Sequence, residues 1–93
     1  MTIGFCQIDL HLPQSNSLKG KRRILKSLIS RIRNRFNVTC AEVAENGKWQ
    51  KAVLGVACVS NSSRHADEML SKVVDLVRQE GEAILLDYKI ELL

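Results

Sequence analysis

The chain has 93 residues, 45% hydrophobic and 26% charged, with a formal net charge of +4 at pH 7. That length suits a single domain, which on folding buries only a little over about 60% of the surface its unfolded chain exposes. The composition is that of a folded globular protein and excludes disorder. No apolar run approaches the about 20 residues of a membrane span, and the N-terminus lacks the layout of a signal peptide, so a cytoplasmic location without membrane contact is expected.

In chain order, Cys6, Ile8, Leu10 and Leu12 alternate with Gln7, Asp9 and His11, the period of two of a strand with one buried face. Pro13 ends it, and Ser15, Asn16 and Ser17 are turn and N-cap candidates. Leu18, Leu25, Leu28, Ile29, Ile32 and Phe36 then recur at helical spacing, which predicts a first helix ending near Asn37. The β-branched stretch from Val38 to Val43 predicts a second strand, Asn46-Gly47 a tight hairpin, and the segment from about Trp49 to Ser60 a third strand. Asn61, Ser62 and Ser63 offer the next N-cap, with Asp67 and Glu68 placed to favour the helix macrodipole. Ala66, Met69, Leu70, Val73, Val74 and Val77 mark a second helix, Gly81 is its expected C′ residue, and Ala83 to Leu93 is the last strand. The order is the split βαβ arrangement of an α+β fold, βαββαβ, with a four-stranded antiparallel sheet in order 4-1-3-2 and both helices on one face.

Charge is the least evenly distributed property. No carboxylate occurs between Leu10 and Ala41, and eight of the 14 Lys and Arg residues fall between Lys19 and Arg35. By formal charge this block carries +8 and the rest of the chain −4. Lys19, Arg23, Lys26 and Arg33 project onto one flank of the first helix, Arg22 lies at the edge of that stripe, and Lys21, Arg31 and Arg35 lie on the opposite boundary. A helix built only for solubility interleaves both signs, so the absence of acidic i,i+4 partners points to a polyanion, with Lys19, Lys21, Arg22, Arg23, Lys26 and Arg33 as the candidate contacts.

Two further features bear on partners. From Ala52 to Val59 every residue is apolar or glycine, whereas a strand with one wet face alternates, so a homodimer through the helix-free sheet face is expected, with Val53 and Ala57 as its test positions. The third strand lacks the aromatic motif with which RNA-recognition domains of this topology stack bases, and Phe5 and Trp49 are read as packing residues. Contact with RNA would then run through Lys and Arg to the backbone.

Chemistry has little to work with. Asp9 and His11 share a strand face, with Ser15 or Ser17 nearby in sequence, but there is no glycine loop, oxyanion element or metal-ligand cluster, and the chain is not expected to be an enzyme. Cys6, Cys40 and Cys58 are odd in number, form no C-x-x-C pair and sit in apolar strand contexts, which predicts buried, reduced thiols and no metal or cofactor.

The run from Asp9 to Arg23, DLHLPQSNSLKGKRR, followed by Arg35-Phe36-Asn37-Val38, Ala41-Glu42-Val43, the segment from Trp49 to Gly55 and Leu85-Leu86-Asp87, resembles the YlxP-like family of small bacterial proteins across almost the whole chain. That family is a domain of unknown function. The resemblance implies a ferredoxin-like fold and, through the placement of members in operons with translation initiation factor two and ribosome-binding factor A, a link to ribosome assembly or translation. Members often carry an acidic residue where this chain has Gly20, so the capping box that would begin at Ser17 is missing. The expected function is therefore that of a non-enzymatic protein binding structured RNA or a ribosomal subunit through its basic helix. The alternatives are a module docking on an acidic surface of a translation or assembly factor and, as a minor reading, a small hydrolase centred on His11.

Overall fold

A computed structural model describes residues 1–93. The elements follow in the order β1 (Thr2–His11), α1 (Leu18–Arg35), β2 (Thr39–Ala44), β3 (Lys51–Ser60), α2 (Ser63–Arg78) and β4 (Ile84–Leu92). The sheet is antiparallel with the order β2-β3-β1-β4, the arrangement expected from the sequence.

Alternation along the central strands decides which side becomes the core. Cys6, Ile8 and Leu10 of β1 pair with Val56, Leu54 and Ala52 of β3, and all six are buried against both helices. Ile24, Leu25, Leu28 and Ile32 of α1 close this layer from one side, and Ala66, Leu70, Val73, Val74, Leu76 and Val77 of α2 from the other. Each helix starts on a serine: Ser17 Oγ accepts from Gly20 N at 2.9 Å and Ser62 Oγ from His65 N at 3.2 Å. These contacts satisfy first-turn amide donors that have no partner within the helix.

Three local expectations are corrected. The β2–β3 connection is a six-residue loop, residues 45–50, and not a tight hairpin. Asn46-Gly47 still forms its turn, closed by Lys48 N donating to Glu45 O at 3.1 Å, but a bulge between Glu42 and Ala44 and a left-handed Glu45 (φ 63°) precede it. Gly81 is not a left-handed C′ residue, since no glycine in the chain has positive φ. The Glu80 carboxylate accepts from Gly81 N and Glu82 N after α2 ends. The first turn of α2 holds no acid; Asp67 and Glu68 lie one turn further on, where Glu68 pairs with Arg64.

Candidate nucleic-acid interface

The candidate contacts separate by surroundings. Lys19, Arg22, Arg23, Lys26 and Arg33 all stand in solvent on α1. No carboxylate lies within ion-pairing distance of Lys19, Arg22, Lys26 or Arg33. From Lys19 to Arg33 this flank runs about 21 Å at 1.5 Å per residue. It belongs to the helix that packs along β2. The other side of α1 faces α2 and the loop before β4, which supplies the missing acids: Glu82 approaches Arg23 at 3.8 Å and Glu80 pairs with Arg31. Arg35 lies over Phe36, its guanidinium carbon 5.7 Å from the ring centre.

Lys21 is a correction. Its side chain is fully buried, and its ammonium donates to Glu45 O at 2.8 Å, Lys51 O at 3.2 Å and Asn46 O at 3.3 Å. Glu42 Oε2 lies 2.8 Å from the same ammonium, so a carboxylate neutralises the buried charge that the carbonyls solvate. Lys21 thus ties the first turn of α1 to both ends of the β2–β3 loop and is closed to any external phosphate. The signal was present in the sequence: Lys21 stands four residues before Leu25 and seven before Leu28, on the buried face of the helix.

The same tie holds a residue that the sequence reading set aside. Trp49 is 55% exposed on the loop that Lys21 clamps. Gln50 ties the end of that loop to the segment after β1, its carbonyl accepting from Leu12 N at 2.8 Å and its side-chain amide donating to Pro13 O at 3.3 Å. An exposed indole is therefore held at the α1 N-terminal end of the molecule, whereas Phe5 lies half-buried on the sheet.

The His11-centred constellation is taken up by structural contacts. His11 Nδ1 lies 3.1 Å from Gln50 O, a carbonyl that only accepts, so this nitrogen carries the proton. Asp9 accepts from Gln7, the Ser15 hydroxyl donates to Ser17 O, and the Ser17 hydroxyl caps α1. The three thiols are buried and unpaired, and burial pushes Cys6 and Cys40 up from the usual 9.0 to about 11. No three His, Cys, Asp or Glu side chains are grouped to hold a metal, and no helix is long and apolar enough to cross a membrane.

Comparison with known proteins places the chain. The uncharacterized protein YlxP of Bacillus subtilis (strain 168) is 33% identical over 75 residues, spanning 81% of this chain and 82% of that protein. Among solved structures, a de novo designed protein with a ferredoxin fold matches with a TM-score of 0.60 at 10% identity, covering 98% of this chain and 86% of the designed one, which is a likeness of fold alone. The family profile described as "Protein of unknown function (DUF503)" matches residues 3–90, and with the one-third identity to YlxP this makes the chain a member of that family, built on a ferredoxin-like fold.

Proposed function

We propose that this protein binds structured RNA, ribosomal RNA first among candidates, through the outer flank of α1. The observation that carries the reading is the row of Lys19, Arg22, Lys26 and Arg33, exposed and without a carboxylate partner. The neighbouring cations Lys21, Arg23 and Arg31 each have one. Like charges at i,i+4, such as Arg22 and Lys26, repel by a few tenths of a kcal/mol, and an anion along the flank relieves that repulsion. Phosphate contacts made this way release counterions and carry little sequence information. The link to ribosome assembly or translation that the family resemblance implies points in the same direction.

Replacing Lys26 and Arg33 together by Glu tests the proposal. Affinity for ribosomal RNA or subunits is expected to fall by about tenfold or more at moderate salt, and the slope of log K against log salt to flatten by about 1.5 to 2. The melting curve should hardly change, because both side chains stand in solvent. Unchanged affinity in the double variant rejects the reading. Retention on subunits after nuclease digestion of exposed RNA assigns the flank to an acidic protein surface instead.

A further inference from the structure

The helix-free face of the sheet can be laid out row by row from the strand register. One end row is Val59, Ile3 and Leu93, with Val59 opposite Ile3 and the Ile3 and Leu93 backbones exchanging hydrogen bonds. The next row is Thr39, Ala57, Phe5 and Glu91, and the third is Ala41, Gly55, Gln7 and Lys89. Asp9 faces Asp87 in the fourth row, beside Val53. Apolar residues thus fill one end of the face and most of its β2–β3 half, while charge lies toward β4, at Asp9, Asp87, Lys89 and Glu91, and at the far end of β3, at Lys51.

That apolar area has relief. Ala41, Gly55 and Ala57 floor a groove of about 440 Å³, walled by Phe5 on one side and Val43 on the other. Val43 leans over the glycine so closely that a Cβ at position 55 would stand 2.9 Å from Val43 Cγ1. Ile3, Val43, Val59 and Leu93 project beside the groove at 39%, 58%, 65% and 74% exposure. Four exposed large apolar side chains on one face are not the scattered hydrophobes of an ordinary surface.

We propose that this face is covered by a second copy of the chain, packed sheet to sheet about a two-fold axis over Ala57. Three observations select a copy over another occupant. Knobs and a small-residue groove lie side by side on one patch, so a two-fold rotation sets the knobs of each copy over the groove of the other, as an isologous contact requires. The rim carries both signs, Asp9, Asp87 and Glu91 against Lys51 and Lys89, so two copies meet without a like-charged field, whereas a polyanion would meet carboxylates. The size also suffices: four strands about 4.8 Å apart and about eight residues long span about 500 Å², or about 1,000 Å² over two copies, the lower bound of a specific interface. In such a dimer the α1 helices lie on opposite outer sides, and neither basic flank is buried.

Val53 is unsuited as a probe of this face, because it is only 7% exposed within its own chain and a charge there would test folding. Ala57→Glu and Val59→Glu are the appropriate variants. Sedimentation equilibrium of the full chain from low to several hundred micromolar should show a monomer–dimer equilibrium for the wild type and a monomer throughout for each variant, with unchanged circular dichroism. A wild type that stays monomeric over the whole range overturns the proposal, and so does a folded variant that still dimerises as wild type does. Should Ala57→Glu fail to fold, Val59→Glu decides, since its side chain is already 65% exposed.

Discussion

Lys21 shows how a single residue can leave one class and enter another once the chain is folded. In the sequence it is one of eight cations on a basic helix; in the fold it is a fully buried ammonium with three carbonyl acceptors and a carboxylate at 2.8 Å. Removing it leaves Glu42 charged and partly buried with no counterion, and three carbonyls without their donor. Breaking a buried pair in this way costs about 3–5 kcal/mol, a large part of the about 5–15 kcal/mol that holds a domain together. Lys21→Met is therefore expected to lower the urea midpoint severely, and Glu42→Leu added to it to restore part of the loss. An intact midpoint in Lys21→Met would show that water or a neighbouring cation replaces the clamp.

At the scale of the element, α1 depends on its first turn. Gly20 N donates to Ser17 Oγ, and a Cβ at position 20 would stand 3.2 Å from that same oxygen. Ser17→Ala removes the cap and should cost about 1 kcal/mol in urea unfolding. Gly20→Ala brings a helix-propensity gain of about 1 kcal/mol, but in the wild type it crowds the cap oxygen and the gain is offset. In the Ser17→Ala background the crowding disappears, so the two substitutions should be non-additive, with Gly20→Ala clearly stabilising only there. Additive behaviour in the four-member cycle would mean that the cap and the glycine act independently. The basic flank begins at this turn, so the cap also fixes where Lys19 and Arg22 stand.

For the whole molecule, the core determines how stability depends on alkali. Cys6 and Cys40 lie in the layer between sheet and helices, and desolvation pushes both thiols from the usual 9.0 to about 11. The unfolded chain releases these protons near 9.0 and the folded chain retains them until about 11. The contribution is fully present below the lower value and is lost as pH rises between the two. Urea midpoints should accordingly drop over that interval, and drop less in a Cys6→Ala, Cys40→Ala variant compared with its own neutral value. Native thiols should also label slowly at neutral pH, since thiolate is the reactive form. A flat alkaline limb in the wild type would contradict the buried-thiol reading.

What could be read without a structure is what nearest neighbours along the chain decide. Alternation in Cys6, Ile8, Leu10 and Leu12, helical spacing in the Leu25 to Ile32 stripe and serines before both helices yield the six elements, and connection rules then leave one sheet order. The segregation of charge onto α1 is equally local, because it is a matter of which residues occupy one helix. The fate of each cation is not, since Glu42, Glu80 and Glu82 lie 21, 49 and 59 residues from the Lys21, Arg31 and Arg23 they meet. The six-residue loop escaped for the same reason: Asn46-Gly47 encodes its turn, but the bulge beside Ala44 and the ammonium that collects the loop carbonyls come from pairing and from another element. The third strand divides between the two. Its unbroken apolar run was visible as a sequence, yet only the tertiary structure decides that Val53 is covered at 7% exposure and Val59 is left in water at 65%. Periodicity assigns a residue to a face; distant parts of the chain decide whether that face stays open.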